Sequence, residues 1–503
     1  MKHIFKLPNR FINFNIYALS LTLLMVSCDL EEEVISFRTD DDFYQNQEEL
    51  DRGIIASYSS LYDVMSVEWN ITELRSDNTF TNPDRSPESD APRFTLDRLT
   101  VDTNNSINQA YYANCYKTIA LTNRILANLD VAEDQGLRNQ YEGEAKFLRA
   151  LMHFNLTRLY GSIVISDRVL IGEEGFQLSR RPQSEVYPFI IQDLEDAIAL
   201  LPEEYDDSEF GRATGIAART ILGKVHLSSP TRDIEAAITQ LEYVRDRGLN
   251  DLLTNYDDLF APDNELNNEV IFSVRYEQGL IGLGSPFPNF FAPLQSDGNV
   301  VFGNGDGLNV PTENVSDTYE VGDLRKETSM ADSYIFVDDN EETDDIEIFI
   351  KHVTKYNSDF AALDDGDVDW PITRFADVLL MLSEAYVDAR GISEALIELN
   401  KVRVRAGLTA LTETDVNSSF AFKLALENER RLEFAFENHR FFDLLRTNRA
   451  LTVINEHFAN EFAYNNPDNP DLDASPISDF QLLLPIPQRE IDLNPNLAQN
   501  IGY

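Results

Sequence analysis

The feature that most limits what this chain can fold into is a succession of helical-period segments arranged in adjacent pairs. Along residues 139–160, Tyr141, Ala145, Leu148, Met152, Leu156 and Leu159 recur at helical intervals, which is the stripe an amphipathic helix turns toward a core. Gly161 follows as a stop signal. Residues 47–66 carry Leu50, Ile54, Leu61 and Met65 on one broad face, and a further helix is expected over 107–129. Ile191, Leu194, Ile198 and Leu201 mark another helix, ended by Pro202. Residues 212–229 and 233–247 make a pair, as do 373–390 and 393–406 with Gly391 between them; Leu396, Leu399, Val402 and Ala406 share one face of the last. A long helix is expected over 417–447. Each pair leaves an apolar face open, so neighbouring pairs are expected to stack and bury it, like tetratricopeptide repeats of degenerate consensus.

Two stretches break this texture. Residues 70–104 carry Pro83, Pro87 and Pro92 among Asn, Asp, Ser and Thr and read as a long loop, a place where function often sits. Between about 250 and 370, Gly, Pro, Asn and Asp dominate around short β-rich pieces at residues 270–274 and 346–350. The expected fold class is therefore mainly α, a tetratricopeptide-like superhelix of helix pairs with a loop-rich second half. The expected divisions are 1–27, 28–42, a helical-repeat part 43–265, and a C-terminal part 266–503 that holds the loop-rich module and the long helix.

The first 27 residues are expected to be a signal peptide. Lys2, Lys6 and Arg10 precede an apolar run from Phe11 to Val26, and no acid occurs before Asp29. The run is too short and too weakly flanked for a membrane-spanning helix. It ends in Leu24-Met25-Val26-Ser27-Cys28, which resembles a bacterial lipobox with Met25 where Leu is usual. Processing of that kind cuts before Cys28 and acylates its thiol and new amine, a multi-chain anchor that holds a protein stably on a membrane. Asp29 and Glu31 to Glu33 resemble the acidic export signal of outer-face lipoproteins. The expected location is thus the outer membrane, lipid-anchored and exposed at the cell surface.

The chain has 87 acidic against 41 basic residues, a formal net charge of -46. Nucleic acid and anionic lipid headgroups repel such a surface, so both are poor partners and no nucleic acid is expected. The acidity fits a salty environment. Two cysteines, Cys28 and Cys115, cannot make a disulfide framework or a cysteine zinc cluster.

Several segments, in order along the chain, resemble one known family. They are Glu144 to Ala150 ending in Tyr160-Gly161, Gly211-Arg212-Ala213-Thr214, Tyr319 to Arg325, Arg374 to Met381, and Asn400 to Gly407. The stretch ENERRLEFAFENHRFFDLLR at 427–446 follows, then Leu484-Pro485-Ile486-Pro487, Glu490-Ile491, Asn494-Pro495 and the end from Gln499 to Tyr503. Together they resemble the SusD/RagB family of Bacteroidetes-type nutrient-binding lipoproteins. Asn438 departs from the usual Gly of the signature helix, and residues 228–232 look altered. The resemblance implies four helix pairs beside a loop-rich half. It also implies a lid on a SusC-like TonB-dependent transporter that captures oligosaccharides, or peptides in some members, and passes them inward.

Chemistry is sparse. Glu429, Glu433 and Glu437 share one helical face, and paired carboxylates serve glycoside hydrolysis. Arg430, Arg431, Arg440 and Asp443 interleave with them, so ion pairs three and four residues apart are expected to neutralise the helix while Phe434, Phe436, Phe441 and Phe442 dock it. No G-x-S-x-G, H-E-x-x-H or P-loop pattern occurs. No enzyme activity and no cofactor are expected, with an outer-membrane hydrolase as the remote alternative. Cys115, among Tyr112, Tyr116 and Ile119, is expected to be a buried thiol. The acidic runs 338–345 and 364–369 miss the EF-hand spacing and are expected to be solvated loops rather than a metal site.

Sugar binding needs flat apolar faces with amides and carboxylates beside them. The candidates are Trp69, Phe80, Phe287, Phe290, Phe291 and Trp370, with Asp77, Asn78 and Arg93 as polar partners. The expected ligand is a polysaccharide or oligosaccharide of algal type, with a peptide as the alternative. An anionic glycan would call on Arg85, Arg93 and Arg98.

Overall fold

The computed structural model describes residues 43–82, 89–206, 209–265, 267–337, 345–462 and 475–503. The leader, Cys28, the acidic tether, Arg85 and the acidic stretch 338–344 lie outside the described residues. Asn46–Tyr503 form a compact unit with its own packing.

Eight helices build the scaffold, and local signals start most of them. Helix α1 spans Gln47–Thr72, with the Asn46 side chain accepting from the Glu49 N–H. Helix α2 spans Ser106–Ala127 behind an Asn105 cap, and α3 spans Gln135–Tyr160 behind Asp134. Helices α4 (Gln183–Leu200), α5 (Gly215–Ser228) and α6 (Ile234–Arg247) follow. Then come α7 (Phe375–Ala389) and α8 (Ile392–Arg405). Side-chain caps of this kind satisfy N–H groups that a helix start leaves open. Gly161 (φ +70°) and Gly248 (φ +73°) end α3 and α6 in conformations that a Cβ disfavours.

The pairs α1/α2, α3/α4, α5/α6 and α7/α8 pack in order, and α6 packs on α7. The 250–370 module is therefore an insertion between the third and fourth pairs, as expected from its texture. Helix α7 is buried on all sides from Phe375 to Val387, because it is covered by α6, α8 and the next helix, α9 (Ser419–Glu433). The module contributes paired ribbons rather than a sheet. Val270–Val274 runs antiparallel to Trp370–Arg374, and Tyr334–Phe336 to Ile346–Ile348. The second of these strands ends two residues before the expected limit. No helix among the described residues is long and apolar enough to cross a membrane.

Two expectations are corrected. The stretch 70–104 is not one long loop: α1 runs on to Thr72, and Ala91–Asp97 is helical. The helix expected over 417–447 is broken. It stops at Glu433 and resumes as α10 (Arg440–Arg446), because Phe436 and Asn438 both take φ of +66°, which no α-helix accommodates. Asn is among the non-glycine residues best suited to that region, which explains how Asn438 replaces the usual Gly.

Candidate functional site

The signature carboxylates are enclosed in an ionic core. Arg325 donates from Nη1 to Glu429 Oε1 at 2.6 Å and Glu433 Oε2 at 3.2 Å, and from Nη2 to Asp323 at 2.7 Å. Arg374 donates to Glu433 Oε1 at 2.6 Å, Glu269 at 2.9 Å and Glu437 at 2.8 Å. Arg405 adds Glu269 and Glu433, and Lys355 donates to Glu437 at 2.8 Å. The partners thus come from distant segments, not from the same helix three or four residues away. Arg430 instead holds Asp443 and Asp377, while Arg431 and Arg440 hold Asp77.

Burial alone would raise the Glu433 carboxyl, but Arg405, Arg374 and Arg325 outweigh it and hold it well below the usual carboxylate range. A fully enclosed, permanently ionised carboxylate has neither substrate access nor a proton to exchange near neutral pH. These motifs hold the loop-rich module to the helical stack. Cys115 is buried and its thiol is pushed well up, chiefly by burial.

The structure brings most of the sugar-binding candidates together, but mainly as core. Trp69 is fully buried on the last turns of α1. Its ring meets Phe291 edge-on at 5.3 Å and Phe290 at 6.4 Å. Phe287 and Phe291 are buried, and Trp370, 1% exposed, stacks on Tyr356 at 4.5 Å. Trp69, Phe287, Phe291 and Trp370 therefore offer no face to a ligand, contrary to the sequence expectation. The reason is that α1 continues past residue 66 and turns Trp69 inward. Asp77 is taken by Arg431 and Arg440, and Asn78 accepts from Arg431 Nε at 2.8 Å. Both are buried tethers of the signature segment rather than ligand contacts.

Three candidates reach the surface above this floor. Phe80 and Phe290 are half-buried. They flank one segment, since Phe80 pairs with Val310 and the Leu308 N–H donates to the Phe290 carbonyl at 2.8 Å. Arg93, with a side chain 25% exposed, donates to Asn70 Oδ1 at 2.7 Å and pairs with Asp90. Its guanidinium lies 5.5 Å from the Trp69 ring centroid. Sequence reasoning missed Phe302, 48% exposed, and Phe360, whose ring is 6.5 Å away. A lone aromatic in the Gly/Asn-rich run Phe302-Gly303-Asn304-Gly305 was the available signal. Phe290 and Arg93 thus form a partly exposed rim on the buried aromatic floor, with Phe80 joined to them through residues 308–310.

The acidic run 364–369 is not a solvated loop. Asp365 accepts from the Gly279 N–H at 2.8 Å, Asp367 from Gln278 at 3.0 Å and Asp369 from Tyr276 at 2.8 Å. These carboxylates cap a turn, and among the described residues no group of three or more His, Cys, Asp or Glu is placed to hold a metal ion.

Comparison with known proteins agrees with this architecture. The SusD family model matches residues 319–503, and a model described as starch-binding associating with outer membrane matches residues 31–227. SusD-like protein P25 of Formosa agariphila is 26% identical over 95% of this chain and 97% of its own length. SusD-like protein P2 of the same organism is 27% identical over 97% and 99%. Among solved structures, a laminarin-binding SusD-like protein superposes with a TM-score of 0.73 at 24% identity, covering 92% of this chain and all of its own, 100%. A SusD homolog from Bacteroides thetaiotaomicron gives 0.77 at 20% identity, covering 93% and 99%. Surface glycan-binding protein A of that organism, in complex with laminarihexaose, gives 0.74 at 20% identity over 90% and 99%. With matches at both ends of the chain, and four helix pairs interrupted by one loop-rich module, this chain belongs to the SusD/RagB family.

Proposed function

We propose that this protein is a glycan-binding surface lipoprotein of the outer membrane, anchored through Cys28, which hands a neutral oligosaccharide to a SusC-like TonB-dependent transporter and does not cleave it. The observation that carries the reading is the rim of Phe80, Phe290 and Arg93 over a rigid aromatic floor, in a fold that similar proteins with laminarin or laminarihexaose in their names share. The enclosure of Glu429, Glu433 and Glu437 supports binding without hydrolysis. The match to a family described as associating with the outer membrane supports the location. The proposal includes an algal origin for the glycan, which the acidity of the chain favours.

Calorimetric titration with laminarihexaose tests it. Loss of one stacking face is worth about 0.5–1.5 kcal/mol, so Phe290→Ala should weaken binding by up to about tenfold with little change in melting temperature. Absence of binding to laminarihexaose and to cello-, xylo- and mannohexaose alike, or capture of peptides in their place, refutes the glycan reading.

A further inference from the structure

A second cleft opens elsewhere on the molecule, of about 570 Å³, lined by Tyr62, Phe210, Glu265, Arg275, Tyr276 and Leu283 among others. A smaller one of about 170 Å³, with Tyr205, Asn250 and Asn268 in its walls, adjoins it at Phe210. Neither contains a candidate residue of the rim.

The polar wall of the larger cleft lies at the end of the ribbon of Val270–Val274 and Trp370–Arg374, where Arg275 stands beside Asp263, Glu265 and Glu277. Val274 pairs with Trp370, so Arg275 and Asp369 emerge at the same end. Asp369 is fixed by the Tyr276 N–H at 2.8 Å. Arg275 bridges Asp369 at 3.0 Å and Glu265 at 2.7 Å, with 34% of its side chain still open. Its stem passes Gly211 (φ +92°), where a Cβ would stand 3.1 Å from Arg275 Cγ. The guanidinium then lies 4.8 Å from the Phe210 ring centroid. Glu265 Oε1 has no hydrogen-bond donor. Burial, then the charge of Asp369, raises the Glu265 carboxyl, and burial also raises Asp369. The Arg275 guanidinium offers donors and the Glu265 carboxyl an acceptor, and Asp263 and Glu277 bring further carboxylates to the same cleft.

The apolar wall is equally specific. Phe210 is 38% exposed and serves both clefts. Half-buried Tyr62 lies 5.0 Å from Tyr276, tilted by 31°, and Tyr276 meets Phe287, which meets Phe290. The cleft is thus a second outlet of the aromatic cluster that floors the rim. Flat apolar rings beside guanidinium donors and carboxylate acceptors match the faces and hydroxyls of a pyranose, and two adjoining clefts suit a chain of them rather than one small molecule.

We propose that this groove is a second carbohydrate-binding site, in which Tyr62 and Phe210 pack against neutral sugar rings while Arg275 and Glu265 hold their hydroxyls and Asp369 fixes Arg275 from behind. The proposal rests on the reading that the protein binds neutral glycans. Laminarihexaose is titrated into the full chain, Phe290→Ala, Phe210→Ala and the double variant, with melting curves beside each. Phe210 is exposed and should leave melting unchanged. Two sites per wild-type chain are expected; each single variant should weaken one class by up to about tenfold, and the double variant both. If Phe210→Ala changes neither stoichiometry nor affinity while Phe290→Ala abolishes binding, the second groove is refuted and the rim stands. Binding that survives Phe290→Ala and is lost in Phe210→Ala supports the groove and refutes the rim. A wild-type chain that binds neither laminarihexaose nor cello-, xylo- and mannohexaose overturns both.

Discussion

Glu433→Gln separates a structural carboxylate from a catalytic one. The glutamate receives Arg325, Arg374 and Arg405 and is fully buried. Glutamine keeps the volume, so no cavity opens, but it removes one negative charge from among three guanidinium groups. Breaking a buried pair by removing one partner destabilises by about 3–5 kcal/mol. Unfolding entropy of ~2.1 cal/mol/K per residue amounts to roughly 1 kcal/mol/K for a chain of 503 residues. The melting temperature should therefore fall by about 3–5 °C at pH 7. The pH dependence has a sign. The folded carboxyl is held below its ordinary value, so its stabilisation is complete above the unfolded pKa and is lost as pH falls through the folded one. The gap between wild type and variant should narrow on acidification. Calorimetric melts at pH 7 and pH 3 measure this, and chromatography of incubated oligosaccharide measures turnover. Equal melting at pH 7 would refute the ionic-core argument. Shortened products from the wild type that vanish in Glu433→Gln would make the residue catalytic.

Trp370→Ala should lower stability by about 3–5 kcal/mol, as large-to-small core changes do, because it removes a ring stacked on Tyr356 and 4.4 Å from Phe287; unchanged melting with weaker glycan binding would place it in a ligand site instead. Glu68→Gln tests a buried carboxyl raised to about 7, chiefly by burial. A raised acid stabilises fully below its unfolded pKa and loses that contribution as pH rises through the folded value. Wild-type stability relative to Glu68→Gln should thus fall by on the order of 3 kcal/mol between pH 4.5 and pH above 7, measured by denaturant melts; a constant difference contradicts the assignment. Cys28→Ala should move the protein from membrane to soluble fractions and abolish acyl mass on the N-terminal peptide. Unchanged partitioning refutes the anchor.

The helix pairs were legible because their signals are local. Asn46, Asp134, Asp233 and Ser418 each accept from an N–H three residues on, and the apolar stripes follow the helical period. The break after Glu433 was not legible, since the apolar pattern runs through it. It is imposed from outside: Glu73 accepts the Asn438 N–H at 2.6 Å, Lys355 donates to the Ala435 carbonyl at 2.7 Å, and Tyr356 donates to that of Phe436 at 2.8 Å. Asn438 in place of the usual Gly was the one local trace of that turn. The candidate site was half legible. Aromatics from residues 66–98, 287–291 and 370 do converge, yet which of them faces solvent depends on where α1 ends. Tyr62, Phe210, Glu265 and Arg275 come from four separate segments with no shared motif, so no spacing could announce their cleft.

The distribution of charge bears on what such a surface can hold. Arg149, Arg325, Arg374, Arg403, Arg430, Arg431 and Arg440 are all buried against carboxylates. Much of the scarce positive charge is therefore spent inside, in shared networks that also bury acids. Over the whole sequence 87 acidic residues still face only 41 basic ones. At physiological ionic strength that field is screened over roughly 8 Å, which is enough to repel a polyanion docking on the surface but irrelevant to an uncharged chain. At the rim, Arg93 is already matched by Asp90, and in the second groove Arg275 is matched by Glu265 and Asp369. Arg98 lies over the Phe94 ring at 4.8 Å and donates toward its carbonyl. The arginines expected to serve an anionic glycan are thus committed at Arg93 and Arg98, while Arg85 lies outside the described residues. Rings with compensated polar neighbours favour a neutral glycan, whose affinity comes from stacking and hydroxyl contacts rather than from charge.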